Sequence, residues 1–252
     1  MDMTSGQFRK LCELVYSECG INLHEGKQQL LQARLSKRLR STGINTVAEY
    51  LTVLENDSHE LTKFLDAVST NHTYFFRESH HFEHLGSDHL KIWCAASSSG
   101  EEPYSIAIHC LENGFRPSIL ASDISTRMLE IGQNGIYPAE KTKNMPPHVV
   151  KKYFQKGMGR WDNHVRVKNE IKQMVTFQRY NLLTDPAQSR EFDVIFCRNV
   201  FIYFDNVTRT QITGKLYIAL KKSGYFIIGG AESLNTIDHP FKYIQPSIYR
   251  KL

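Results

Sequence analysis

Two adjacent carboxylates, Glu101 and Glu102, follow a run of small residues, Ser97-Ser98-Ser99-Gly100. A third acid, Asp123, stands 23 positions beyond Gly100. That spacing suits a carboxylate that accepts hydrogen bonds from a ribose diol. Capping the next helix is its competing role, although Ser125 can serve as that cap instead. Neither phosphate-binding pattern is present, because Gly100 is the only glycine in its loop. Two acids would repel an anion, so a ligand at this loop should be neutral or cationic where it meets them. The plain alternative is a strand–turn–helix junction that binds nothing. Upstream, Asn71-His72-Thr73 and Tyr74-Phe75-Phe76 lead into Arg77. The aromatics belong in a core, and a guanidinium drawn in beside them needs an anion, either an internal acid or a substrate carboxylate. Five cysteines without a C-x-x-C pair and eleven histidines without H-E-x-x-H point to reduced, mostly buried thiols and to no metal site.

These residues are positioned by an alternation of strands and helices. The apolar run Ile92–Ala96 reads as a strand, and Pro103 opens a helical segment with Ile106, Ala107, Cys110 and Leu111 on its apolar positions. Acids in the first turn of that helix suit its positive end. Ser118–Ser122 is a second strand with a helix over 126–133, and Met174–Phe177, Phe192–Cys197 and Tyr225–Ile228 are further strands. A helix over 207–220 is expected to close at Gly224, and 247–251 to close an antiparallel edge pair. Such alternation implies a mostly parallel sheet covered on both faces. In open sheets of this kind, ligands bind beyond the carboxyl ends of the strands. A Pro- and Gly-containing stretch at 137–172 interrupts the alternation with a helix and short strands. Residues 4–70 read as all helix, with Thr4 as a start and Gly20 and Gly43 as stops.

At 252 residues and 41% hydrophobic, the chain can bury a sizeable core. No apolar run approaches the roughly 20 residues of a membrane span, and the N-terminus lacks a signal-peptide layout. A cytoplasmic monomer that does not enter the membrane is expected. The net charge of +5 is uneven. Residues 141–180 carry ten Lys/Arg against Asp162 and Glu170. Lys27, Arg34, Lys37, Arg38 and Arg40 have no acid between Gly26 and Ala48. That helix reads either as a solvated charged face or as a dock for an acidic partner.

TNHTYFFRESHHF at 70–82, IWCAASSSGEEPYSIA at 92–107, ASDIS at 121–125, NLL at 181–183, FCRNVFIYFD at 196–205 and GGAESL at 229–234 together resemble the chemotaxis receptor methyltransferase family, the CheR type. The likeness covers nearly the whole chain. It implies a doubly wound α/β S-adenosylmethionine-dependent methyltransferase sheet with a helical N-terminal domain (1–70), a junction (71–89) and a methyltransferase domain (90–252) that carries a small antiparallel β insert (141–173). The activity it implies is methylation of glutamate side chains on chemoreceptor signalling helices, giving γ-methyl esters and S-adenosylhomocysteine. By motif, Glu102 is expected near the methionine part of the cofactor, Asp123 on the ribose hydroxyls, Asn181 and Leu182 beside the adenine, and Asn199 and Val200 on the methionyl side. Ala96 is expected on the loop wall, and Asn71, Thr73 and Arg77 close the site from the junction. Arg77 is expected to grip the acceptor carboxylate, with Tyr203 as a second orienting donor and Thr73 beside them. The resemblance implies receptor docking through Lys27, Arg34, Lys37, Arg38 and Arg40. In some members the insert grips the receptor's C-terminal peptide, although Trp161-Asp162-Asn163 stands here where the family tends to carry glycine. The rivals are a cofactor-binding adaptor that has lost catalysis and a nucleic-acid methyltransferase. Thr73, Arg77 and Tyr203 speak against the adaptor. CRNV stands where amino-methylating nucleic-acid enzymes usually carry an Asn/Asp-Pro-Pro-aromatic motif, so no nucleic-acid partner is expected.

Overall fold

In the computed structural model, residues 3–23, 25–69, 71–86, 89–189 and 192–252 are described. Thr70, which opens the junction motif, and Ser87 and Asp88 near the junction's end lie outside them. The chain begins with four helices: α1 (Ser5–Cys19), α2 (Gln28–Thr42), α3 (Val47–Asn56) and α4 (Ser58–Val68). Thr4 and Gln7 cap α1 reciprocally, each side chain accepting from the other's backbone N–H at 3.2 and 3.0 Å. Gly20 ends it in the left-handed region at φ 73°. A Cβ on Gly20 would lie 2.6 Å from the Thr208 methyl carbon, so glycine lets the end of α1 approach the second domain. Leu11, Val15, Leu31, Leu35, Leu39, Tyr50 and Phe64 fill the helical core at the expected spacing.

Two of the five cations of the basic stretch are neither solvated nor free for a partner. Arg38 forms a bidentate pair with Glu60 of α4 at 2.9 and 2.5 Å, and the Tyr50 hydroxyl donates to the same carboxylate at 2.6 Å. Arg34 donates to the carbonyls of Val68 and Ser69 at the end of α4. Both arginines therefore join α2 to α4. Lys37 and Arg40 remain exposed. Charge counted along one helix could not show that the partner acid lies 22 residues away.

The second region follows as β1 (Lys91–Ala95), α5 (Glu101–Glu112), β2 (Ser118–Asp123), α6 (Thr126–Asn134), β3 (Ile136–Pro138), α7 (Pro147–Tyr153), β4 (Phe154–Lys156), β5 (His164–Val167), α8 (Asn169–Lys172), β6 (Val175–Arg179), β7 (Phe192–Phe196), α9 (Asn206–Ala219), β8 (Leu220–Ile227), β9 (Lys242–Gln245) and β10 (Ile248–Arg250). The main sheet has the order β6-β2-β1-β7-β8-β10-β9. Its first five strands are parallel, and β10 and β9 are antiparallel. β1 is central and almost wholly buried. Its Trp93 packs edge-on against Tyr180 and donates its indole N–H to Ser122 Oγ at 2.8 Å. A second sheet, β3-β5-β4, is antiparallel and takes in Ile136–Pro138 as well as strands within 141–173. A three-residue strand ending in proline carries no readable alternation.

One further expectation changes. Gly224 does not close a helix: α9 ends at Ala219, and the chain passes straight into β8. Gly224 lies where the β7–β8 register shifts, and a Cβ there would sit 2.9 Å from the Asp193 carbonyl. β10 closes the expected antiparallel pair at the sheet edge, with β9 as the outermost strand. Among the described residues no helix is long and apolar enough to cross a membrane.

Candidate active site

The carboxyl ends of β1, β2 and β7 open onto one cleft of about 980 Å³, part of it open to solvent. After β1 the chain turns through three left-handed residues, Ala96 at φ 66°, Ser98 at 50° and Gly100 at 91°. The turn is fixed by its own backbone donors: Ser97 N–H bonds the Ser122 carbonyl, and Ser98 N–H bonds Asp123 Oδ2, both at 2.8 Å. Glycine is required at 100, where a Cβ would come within 3.0 Å of Gly132 Cα. Asp123 Oδ1 accepts from Ser125 N–H at 2.9 Å, and Ser125 Oγ caps α6 through Met128 N–H at 3.3 Å. Ser125 is thus the cap. Each Asp123 oxygen keeps a lone pair for the cleft that the residue lines. Burial pushes this carboxyl above its ordinary value, against the pull of the Ser125 and Ser98 N–H groups.

The paired acids separate. Glu102 lines the cleft. Glu101 is fully buried and faces the insert, where it takes Lys141 Nζ at 2.8 Å and Ser99 Oγ at 2.6 Å. Consecutive helical positions point about 100° apart, so only one of the pair can face the ligand. Lys141 also donates to the Thr73 carbonyl at 3.1 Å, which ties insert, loop and junction together.

The arginine drawn deepest into the protein is Arg198, not Arg77. With 1% of its side chain exposed, Arg198 bridges Glu102 at 3.1 Å and Glu78 at 3.3 Å, and its guanidinium lies 5.8 Å from the Phe82 ring centroid. Burial raises the Glu102 carboxyl, and Arg198 opposes that shift. Burial also pushes up Glu78, but the Gly230 N–H and Arg198 outweigh it and hold this carboxyl below its ordinary value. Glu232 accepts from the N–H groups of Gly229 and Asn199 at 2.7 and 2.8 Å, and burial raises its carboxyl. Asn199 adopts φ 59° and donates its amide to Glu78 at 3.3 Å.

The remaining expected residues also reach the cleft. Asn71, Thr73, Arg77, Ala96, Asn181, Leu182, Val200 and Tyr203 all line it. Arg77 is only partly buried, with its Nη1 on the His72 carbonyl at 3.0 Å and its guanidinium 5.7 Å from the Tyr74 ring centroid. Asn181 bonds to its own turn and to the helical domain: it accepts from Leu183 N–H at 2.9 Å and donates to the Glu18 carbonyl at 2.7 Å. Its oxygen is occupied by its own turn, and one of its two amide hydrogens remains for the cleft wall. Tyr203 carries Lys27 over its ring at 5.0 Å, and its carbonyl accepts from Asn22 N–H at 2.8 Å. Cys19 lines the same space with its thiol pushed up to about 11 by burial, so it is no nucleophile.

The lining fits S-adenosylmethionine. Arg198 Nε and Ser97 Oγ are buried in cleft-lining residues without partners among the described residues, and a polar ligand would satisfy them. Counting Glu78 behind the wall, three carboxylates face two guanidiniums, and this balance favours a cation. C-R-N-V assigns no role to Arg198 from the sequence alone, and Glu78, Glu232 and Lys141 carry no local signal there. The one usable signal was an arginine inside an otherwise apolar strand end.

A family model described as "CheR methyltransferase, SAM binding domain" matches residues 71–250, and one described as "CheR methyltransferase, all-alpha domain" matches 6–69. The chain is 39% identical over 260 residues to a protein named chemotaxis protein methyltransferase 2 from Pseudomonas aeruginosa, covering 98% of this chain and 93% of that one. It is 37% identical over 275 residues to a chemotaxis protein methyltransferase of Borreliella burgdorferi (100% and 96% covered). It is also 37% identical over 260 residues to one of Escherichia coli (98% and 91% covered).

Proposed function

The chain belongs to the CheR methyltransferase family, and from that premise we propose that it is a protein-glutamate O-methyltransferase acting on chemoreceptor signalling helices. Bound in the cleft, S-adenosylmethionine supplies a methyl group activated on a sulfonium. Asp123 binds the ribose hydroxyls, Glu102 faces the methionine end, and Asn181 and Leu182 shape the adenine wall. Asn199 and Val200 line the methionyl side, and Ala96 forms part of the loop wall. Thr73 and Asn71 close the site from the junction.

A glutamate carboxylate has an ordinary pKa near 4.3, so at neutral pH it is already the nucleophile and needs no base. The chain's task is then to align it and to exclude water. Arg77 grips the carboxylate in a charge-assisted hydrogen bond, and Tyr203 orients it. Too tight a grip would quiet the nucleophile, which suits a half-exposed arginine better than a buried one. The observation that carries this reading is that Glu102, Asp123, Arg77 and Tyr203 all line a single cleft although they span 126 positions of chain.

Residues 1–70 dock the receptor, 71–89 contribute to the active site, and 90–252 form the catalytic domain. The docking charges are Lys27, Lys37 and Arg40, while Arg34 and Arg38 hold the helix that presents them. The insert at 141–173 is a second contact, for the receptor's C-terminal peptide. The test is methyl transfer from labelled S-adenosylmethionine to receptor-containing membranes, followed by alkali. Counts released by base identify an ester, and counts that resist it exclude one.

A further inference from the structure

Glu78 lies outside the cleft lining, yet Arg77, Arg198 and Asn199, which its carboxylate meets, all reach into it. Its carboxylate gathers three separate segments. Oε2 accepts from Gly230 N–H at 3.0 Å, after β8, and from Arg198 Nη2 at 3.3 Å, after β7. Oε1 accepts from the Asn199 amide at 3.3 Å and lies 3.8 Å from Arg77 Nε. The backbone around it is bent for this purpose. Phe76 at φ 59° and Glu78 at φ 49° are both left-handed, and Arg77 stands between them. Such positions persist only where the surroundings hold them. Here Phe76 N–H bonds Ser105 Oγ at 2.9 Å, and the Arg77 carbonyl accepts from Arg198 Nη2.

The guanidinium of Arg77 donates through Nη1 to the His72 carbonyl, lies over the Tyr74 ring, and meets the Glu78 charge at 3.8 Å from Nε, an ion-pair contact longer than a hydrogen bond. Nη2 has no partner among the described residues. We propose that Glu78 is a positioning residue for methyl transfer, which aims Arg77 at the acceptor carboxylate while touching neither donor nor acceptor. Without its charge, Arg77 turns toward Glu102, the acid that Arg198 already holds at 3.1 Å, and the grip on the acceptor is lost. The inference rests on the reaction proposed above.

The test is a double-mutant cycle in the full chain. Glu78→Gln keeps an acceptor for Gly230 N–H but removes the charge. Turnover is expected to fall about 30-fold in the wild-type background and less than about threefold in an Arg77→Ala background. Affinity for S-adenosylmethionine should stay within about threefold, and Glu78→Asp should recover part of the rate. An equal loss in both backgrounds, wild-type turnover in Glu78→Gln, or a parallel loss of cofactor affinity and melting temperature would overturn the role. A readout without acceptor is the Arg77 Nε–H resonance, identified by its loss in Arg77→Ala. It should shift and exchange faster with water in Glu78→Gln, and an unmoved resonance also overturns the proposal. A wild-type protein that methylates nothing would count against the reaction, whereas an active wild type with additive losses counts against Glu78 alone.

Discussion

The two sides of the cleft are built differently. The part proposed for the donor, Ser97–Gly100 with Asp123, is made of strand ends and backbone donors: N–H groups at 2.8–2.9 Å hold Asp123, and neighbouring parallel strands set the register. The acceptor side is made of side chains from distant segments, held by the Glu78–Arg198–Glu102 ion pairs and by Tyr203 under Lys27. In the proposed reaction, backbone shapes the donor's part of the cleft and charge the acceptor's. The first arrangement needs little from residues far along the chain, while the second depends on them.

The largest effect that would sharpen the contrast is Arg77→Ala. Turnover should fall by two to three orders of magnitude while cofactor affinity, read by titration calorimetry, moves less than about threefold. A matching loss of affinity would merge the two sides into one. Next is Asp123→Asn, which replaces two backbone-bonded acceptors by one and removes the diol partner. Cofactor affinity should drop about 100-fold, roughly 2–3 kcal/mol, with turnover at saturating cofactor changed only a few-fold. Unchanged affinity would remove Asp123 from the donor side.

Smaller effects lie outside the cleft. The double variant Lys37→Ala/Arg40→Ala should lower kcat/KM for receptor about 5–10-fold and reduce its salt sensitivity, leaving cofactor affinity intact. Arg38→Ala should instead destabilise the helical domain by about 3 kcal/mol, because it strands Glu60 in a buried position. If both behaved alike, the division of α2 into docking and structural cations would fail. The least expected change is with pH. Burial first, then Arg198, holds His81 down to about 4, with Glu78 pulling the other way and His80 and His84 adding to the depression. The unfolded chain takes up this proton near pH 6.5 and the folded chain only near 4. Stability present above 6.5 is therefore lost as the pH falls through that window, by about 2 kcal/mol after screening by nearby water. His81→Phe should flatten that slope in denaturation curves measured from pH 7 to 4.

The donor side could be read from the sequence because its signals are local. Small residues, a glycine and a proline-led helix follow a strand, and an acid closes the next strand. The helical domain was legible for the same reason, since Leu31, Leu35 and Leu39 announce their face by spacing alone. The acceptor side was legible only in its members, Arg77 and Tyr203, and not in what holds them. Arg198 meets Glu78 across 120 positions and Glu102 across 96, and no periodicity links them. The same limit hid Glu60 from Arg38, and Lys141 from Glu101. Gly224 misled because a glycine beyond a helix and a glycine in a strand bulge look alike until the partner strand is seen.

The central claim, one cleft that joins a methyl donor to a carboxylate acceptor, is tested most directly by labelled methyl transfer to receptor-bearing membranes. The wild-type chain should place label on the receptor in a form that alkali releases, and Arg77→Ala should bind the cofactor but transfer almost none. Alkali-stable label, or full transfer by Arg77→Ala, would contradict it.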